Sequence, residues 1–250
     1  VMATEANPAL RTERVTSGEI GTEWTYWGLT AQPVGWNPRR RFEPKPYAAL
    51  VLGATAFWND LRDTVGNVTV ARGPGTFPLV GTIAAGGVGR QRLNLDRIRV
   101  QGLELSARWA ALTTLTVRGD LLLNDAEVRG AVTTAGTLPG GSGGLVGKQV
   151  AQVPRRSASL GAVWRAPGQF TFAPRLRYVG RQFEDDENQL TLGAVAIADL
   201  GVSRPVSRHL EIYLTAENLG NARIETGRSL DGVVNVGTPR FLVGGLRGSW

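Results

Sequence analysis

Apolar and polar residues alternate along most of this chain with a period of two. In HLEIYLTAENL, His209, Glu211, Tyr213, Thr215 and Glu217 alternate with Leu210, Ile212, Leu214, Ala216 and Asn218. In FTFAPRLRYVGR, Phe170, Phe172, Pro174, Leu176 and Tyr178 alternate with Thr171, Ala173, Arg175, Arg177 and Val179. GLELSARWA sets Leu103, Leu105, Ala107 and Trp109 against Gly102, Glu104, Ser106 and Arg108. A pleated strand turns successive side chains to opposite faces, so each run offers one apolar face and one polar face. The pattern predicts nine strands, near 12–27, 46–72, 94–110, 113–129, 152–166, 169–185, 190–204, 208–219 and 239–250. No helical segment is expected.

Connections between these strands alternate in length. Those near 111–112, 167–168 and 205–207 are short, while 73–93, 130–151, 184–189 and 220–238 are long and mostly Gly-rich. The exception is 28–45, a long link containing Pro and Arg where a short turn is due. Alternating short and long connections suit an antiparallel barrel whose two ends face different compartments, as outer-membrane barrels do. The strands are also long beside the mode of about 5–6 residues in soluble sheets. A transmembrane strand needs about 9–11. Trp24, Tyr26, Trp109, Trp164, Phe170 and Trp250 fall at strand ends beside short turns or at the terminus, the placement of an aromatic girdle at one membrane interface. In the final PRFLVGGLRGSW, the face carrying Leu242, Gly244, Leu246, Gly248 and Trp250 has no charge. It is expected to meet lipid, with neighbours on both edges satisfying the backbone. A soluble β protein whose aromatics pack a core is the alternative, and it leaves the repeated Arg and Glu of the opposite face unexplained.

Composition narrows the chemistry. The 250 residues contain no cysteine, which excludes disulfides and thiolate zinc sites, and the lone His209 excludes a multi-histidine metal site. Lys and Arg number 28 against 21 Asp and Glu, but the arginines are scattered at alternate positions rather than clustered, so a nucleic-acid partner is not expected. No run of 18 apolar residues marks a transmembrane helix, and VMATEANPALRTERV does not read as a signal peptide.

Seven stretches, taken in order, resemble the C-terminal part of the barrel of TonB-dependent outer-membrane receptors. They are NPALRTERVTSGEIG, ATAFWNDLRDTV, NLDRIRVQGLEL with Gly102 and Glu104, and VGKQVAQVPRRSASLGAVW with Pro154. LRYVGRQFEDDENQ with Gly180, LTAENLGNARIE with Asn218, and GTPRFLVGGLRGSW with Pro239, Arg240 and the terminal Trp250 complete the set. The family usually ends in Phe, where this chain has Trp250, and the 28–45 link resembles an insertion. The resemblance implies an all-β antiparallel transmembrane barrel of 22 strands, of which residues 1–250 would supply about nine C-terminal ones. The plug domain and the N-terminal barrel strands have no counterpart here. It also implies residence in the outer membrane of a Gram-negative bacterium, contact with outer-membrane lipid, and energy coupling by TonB through the missing plug. The cargo would be a scarce nutrient, most commonly an iron–siderophore complex, with no cofactor and no enzymatic activity. Another kind of outer-membrane barrel, passive or enzymatic, is the alternative.

Among candidate sites, LPGGSGGLVGKQ fails as a phosphate loop because Ser142 stands where Gly is required and Gln149 where Ser or Thr is. FEDDENQ gathers Glu184, Asp185, Asp186 and Glu187, but not in the alternating pattern of an EF-hand, and no metal site is assigned. His209 has no Ser nucleophile motif beside it, so no triad is expected. Arg175 and Arg177, with Arg181 further along, are expected to face the lumen alongside Arg118 and Glu211. Guanidinium groups there suit carboxylate or catecholate-type ligands. Pairing with carboxylates of the plug or of neighbouring strands is the alternative use of the same charges.

Overall fold

The computed structural model describes residues 2–30, 45–130 and 144–248. In chain order the strands are β1 (Met2–Glu5), β2 (Arg14–Thr30), β3 (Lys45–Arg72), β4 (Gly75–Phe77), β5 (Gly81–Ile83), β6 (Val88–Leu112), β7 (Leu115–Val128) and β8 (Arg156–Arg165). After them come β9 (Thr171–Val179), β10 (Gln182–Phe183), β11 (Thr191–Leu192), β12 (Val195–Pro205), β13 (Leu210–Glu217), β14 (Glu225–Arg228), β15 (Val234–Val236) and β16 (Phe241–Gly248). A single 3-10 turn at Pro167–Gln169 is the only helical element among the described residues. There Gly168 takes φ 77°, a conformation that costs glycine little.

Nine long strands form one sheet in the order β16-β13-β12-β9-β8-β7-β6-β3-β2, each pair antiparallel. Sequential hairpin pairing of this kind needs only local connections, so it follows from the order of the alternating segments. The register lines residues up in rows across the sheet. One row runs Thr22–Ala54–Leu105–Leu121–Ala158–Tyr178–Ala196 and has no charge. The next, on the opposite face, runs Glu23–Gly53–Ser106–Asp120–Ser159–Arg177–Ile197. A concavity of about 740 Å³ is lined from β2 across to β9 by Glu23, Gly53, Ser106, Asp120, Ser159 and Arg177. One hollow can span six strands only if the sheet curls toward that face. The polar face is therefore concave and the apolar face convex.

On the convex face large apolar side chains stand open: Ile20 is 77% exposed, Leu246 69%, Leu160 53% and Leu214 51%. The buried apolar cluster lies elsewhere, at the end of the sheet with the long connections. There β3 and β6 run on beyond the other long strands as a ribbon, and Val68, Leu93, Leu95 and Ile98 pack with Val128 and Leu145. The core thus holds the long connections together, while the sheet itself is held by its ladder.

Several expectations need correction. The strand expected from 94 begins at Val88, because the β3–β6 ribbon continues its pairing to Arg72↔Val88. The strand expected over 169–185 stops at Val179, and Gln182–Phe183 pairs separately with Thr191–Leu192. The short turn expected at 111–112 is at 113–114. Met2–Glu5, not expected to be a strand, lies parallel to β6 at Val88–Gln91. The last strand pairs with β13 on one edge and has no second neighbour among the described residues, so the two paired edges expected of it are not present there. Most of the 28–45 link, and Trp250, lie outside the described residues.

Candidate functional site

The concave face is built from the polar positions of seven strands. Its second row, one residue pair nearer the short turns, runs Thr25–Val51–Arg108–Arg118–Gly161–Arg175–Asp199. Arg108 and Arg118 are direct cross-strand neighbours, a like-charge pairing that costs stability unless an anion or solvent screens it. Gly161 between Arg118 and Arg175 adds no side chain, which leaves a gap between the two guanidinium stems. Arg108, Arg118, Arg165 and Arg175 line a hollow of about 610 Å³ with Asp120 and Ser159. Arg118 and Arg175 are exposed and carry no ion pair among the described residues.

Arg177 is used differently. Its Nε and Nη2 donate to Asp199 at 2.9 and 3.2 Å, and Asp199 also accepts from the Asn218 backbone N–H at 3.0 Å. Ser159 donates to Asp120 at 2.9 Å. The structure therefore brings Arg118, Arg175 and Arg177 together, with Arg177 committed to a neighbouring strand. It does not bring Arg181 or Glu211 to them. Arg181 follows β9 and lies 6.0 Å from the Phe183 ring centroid. Glu211 is at the short-turn end of β13, where it accepts from Arg247 at 3.0 Å. Asp199, Asp120 and Arg108 were not singled out in the sequence. Alternation gives each its face, but only register reveals that they share two rows.

The motif residues occupy points of close approach and strand entry. A Cβ on Gly102 would come within 2.5 Å of Phe57 Cζ and closer still to the Leu123 carbonyl, so the Phe57 ring lies over a residue that must be small. The next concave residue, Glu104, is exposed and lines the larger hollow. Pro154 stands between two anchored carbonyls as the chain enters β8: Val153 accepts from Gln149 Nε2 at 2.6 Å and Arg155 from Asn124 N–H at 2.9 Å. Gly180 donates to the Arg156 carbonyl at 2.8 Å, leaving no room for a side chain. Buried Asn218 sits at φ 50° and donates to the carbonyls of Ala222 and Thr238 while accepting from Ala222 N–H. Asn221 accepts from Arg240 N–H at 3.0 Å. Thr238, Pro239 and Arg240 are thereby set at the start of β16.

At the end with the long connections, the acidic run is spent on internal bonds. Asp185 accepts from the N–H groups of Gln189 and Leu190 at 2.9 and 2.6 Å. Asp186 accepts from Thr69 N–H and Oγ1 at 2.9 and 2.8 Å, Glu187 pairs with Arg72, and Glu184 accepts from Gln152 at 2.9 Å. These contacts tie the β3–β6 ribbon to the connection after β9. In the connection after β13, Glu225 accepts from Gly193 N–H at 3.0 Å. That hydrogen bond, and beyond it the charge of Arg228, holds its carboxyl below the usual range against the opposing effect of burial. Among the described residues no group of His, Asp and Glu is arranged to hold a metal ion.

Of the aromatics singled out in the sequence, the five within the described residues sit at the short-turn end. On the convex face Trp24, Tyr26, Trp109 and Trp164 are 54, 57, 53 and 44% exposed. Phe170 stacks on Phe172, and the Arg204 guanidinium lies 4.9 Å over the Phe170 ring.

A family model described as "TonB dependent receptor-like, beta-barrel" matches residues 2–219. Three solved structures share the fold at low sequence identity. The siderophore receptor PiuA from Acinetobacter baumannii is 16% identical with a TM-score of 0.66, over 94% of this chain and 28% of that one. A mutant of the ferric enterobactin receptor PfeA from Pseudomonas aeruginosa, in complex with enterobactin, is 19% identical with a TM-score of 0.62, over 98% of this chain and 32% of that one. The copper transporter OprC is 12% identical with a TM-score of 0.65, over 98% of this chain and 34% of that one. This chain thus spans about a third of the length of these structures, and no curated protein matches it in sequence. Nine antiparallel strands curled around a polar hollow form part of a barrel wall, and the chain belongs to the TonB-dependent receptor-like β-barrel family.

Proposed function

We propose that this chain is barrel wall of an outer-membrane receptor that takes up a scarce nutrient in a TonB-dependent way, with an iron–siderophore complex as cargo. The observation that carries the reading is the separation of rows. A seven-strand uncharged row on the convex face lies one residue from a row bearing Glu23, Asp120 and Arg177 on the concave face. Backbone groups are satisfied between strands, so such a wall can face hydrocarbon on one side and a polar lumen on the other.

Convex positions of β3 are apolar from Leu50 to Trp58, and the next two, Asp60 and Arg62, are charged. Nine residues at about 3.4 Å each span ~30 Å, and a tilt of about 40° projects this to ~23 Å, close to the ~25 Å apolar band of outer-membrane barrels. Trp24, Tyr26, Trp109, Trp164 and Phe170 then anchor the periplasmic interface. The long connections face outward from the cell. Inside, Arg118 and Arg175 supply free guanidinium groups for an anionic complex or for a plug carboxylate. Gly102, Pro154, Gly180 and Asn218 serve the wall rather than the ligand.

The family assignment and the siderophore receptors among similar folds support this reading. Capture of cargo and coupling to TonB are properties of the intact receptor. Deleting the gene should abolish growth on one ferric siderophore under iron limitation, and loss of TonB should do the same. Unchanged growth on every ferric siderophore offered, with copper uptake lost instead, would replace iron by another cargo.

A further inference from the structure

Three hollows follow one another down the concave face toward the short turns, and an arginine stands at each junction. The first, of about 740 Å³, and the second, of about 610 Å³, share Asp120, Ser159 and Arg175. The second and the third, of about 520 Å³, share Arg165. Arg208 and Arg247 also line the third, beside the turn at Pro167–Gln169, so it opens at the short-turn mouth. Register sets the spacing. Four residues beyond Arg175 on β9 is Thr171, in the concave row Arg165–Thr171–Ser203–Tyr213–Gly245, so the two arginine rows lie ~13 Å apart along the wall. The row between them, Ala173–Gly201–Thr215–Val243, has no charge and little bulk. Guanidinium rungs thus stand on either side of a low floor.

The charges along this stretch do not cancel. Asp199, opposite Arg175, is held by Arg177, and Glu211 by Arg247. Asp120 accepts from Ser159 and is exposed. Against that one remaining carboxylate stand Arg108, Arg118, Arg165, Arg175 and Arg208, all exposed and without an ion pair among the described residues. Further carboxylates lie toward the long connections, where Glu23 and Glu104 line the first hollow. The wall is therefore mixed in charge at that end and cationic toward the short turns. Resting on the reading of this chain as receptor wall, we propose that this stretch is an inward track for anionic cargo, with Arg165 as the hand-over residue between the Arg118–Arg175 hollow and the periplasmic mouth. The cargo it fits carries several negative charges on exposed oxygens, as a ferric tricatecholate does. Planar guanidinium groups match such oxygens in paired hydrogen bonds. Exposed charges hold an anion weakly, and weak binding at successive sites is what lets it leave one rung for the next. An uncharged complex gains nothing from the rungs.

The 250 residues hold no cysteine, so a Val163→Cys thiol, in the second hollow two residues from Arg165, reports the potential there. Purified intact receptor carrying it is treated with a sulfonate-bearing and a trimethylammonium-bearing methanethiosulfonate, with the parent receptor as blank. At low salt the ratio of anionic to cationic reaction rates should exceed that of a free thiol by about tenfold, and should fall toward the free-thiol ratio in about 1 M salt. Arg165→Gln should cut the ratio about threefold, Arg165→Lys should restore it, and Arg204→Gln on the convex face should leave it unchanged. A free-thiol ratio without any arginine replaced overturns the proposal. So does a thiol that neither reagent reaches, because the plug then fills the hollow. In cells, Arg165→Gln should lower the maximal uptake rate of a ferric tricatecholate about fivefold with its affinity at the cell surface unchanged. An unchanged maximal rate, or uptake confined to an uncharged ferric trihydroxamate, overturns the track. No TonB-dependent uptake of any ferric complex overturns the receptor reading and the track's cargo together, a result distinct from uptake that Arg165→Gln does not slow.

Discussion

Leu105 and Ser106 are adjacent on β6 and face opposite ways, so the same substitution at each separates membrane wall from soluble sheet. Leu105 lies between Ala54 and Leu121 in the uncharged convex row and is 37% exposed. Ser106 lies between Gly53 and Asp120 and lines the concave hollow. Leu105 is near the middle of the band running from the Trp109 end of β6 to Gln101, opposite Trp58. Leu105→Arg places a guanidinium in hydrocarbon, at a cost of about 2–4 kcal/mol near the midplane. Ser106→Arg enters a hollow of about 740 Å³ beside the Asp120 carboxylate and should cost less than about 1 kcal/mol. The first change corresponds to a ~30- to ~1,000-fold fall in the folded-to-unfolded ratio, the second to less than about fivefold. The assay is urea unfolding of the intact receptor in phospholipid vesicles, read by Trp fluorescence and by the mobility shift of unheated folded barrels in gels. In a soluble protein a part-exposed Leu replaced by Arg would change stability by only about ±0.5 kcal/mol. Equal, small effects at the two positions would therefore refute the assignment of the convex face to lipid.

Replacing Arg118 and Arg175 by Ala should weaken cargo uptake by about tenfold at limiting concentration without changing the folded band, because both are exposed and Asp199, opposite Arg175, keeps its hydrogen bonds from Arg177. An unchanged uptake constant would assign them to solvent. Gly102→Val should cost about 1–3 kcal/mol through the clash with Phe57, and pairing it with Phe57→Ala should recover part of that. Asn218→Ala leaves the carbonyls of Ala222 and Thr238 without their donor, and should lower the unfolding midpoint by the equivalent of about 1–3 kcal/mol. Glu225 has a depressed pKa, so its hold on Gly193 N–H is present above the ordinary glutamate value of about 4.3 and is lost as pH falls below that value. Protease cleavage within 220–238 should accordingly be flat from pH 7 to 5 and rise only in more acid buffer, and Glu225→Gln should flatten the acid rise.

Much of the wall was legible because strand alternation encodes it locally. HLEIYLTAENL assigns Leu210, Ile212 and Leu214 to one face whatever the strand's neighbours are, and the order of segments made sequential antiparallel pairing the simplest topology. Short connections were legible too, since Pro167 and Gly168 mark a turn by themselves. The candidate site was legible only by halves. Alternation put Arg118, Arg175 and Arg177 on the polar face, but gave no way to tell that Arg177 is spent on Asp199 while Arg118 and Arg175 are not.

What the sequence determined by itself is therefore each strand's two faces, because the side-chain period of a strand is a property of its own backbone. What the tertiary structure decided is every relation across strands. Register placed Arg97 against Asp60 and set Gly161 between Arg118 and Arg175. The curl of the sheet made one face a hollow, and contact with the β3–β6 ribbon turned an acidic run into a clamp on Thr69 and Arg72. A shift of one residue in any ladder would leave all local patterns intact and exchange those partners, so no local pattern can record them.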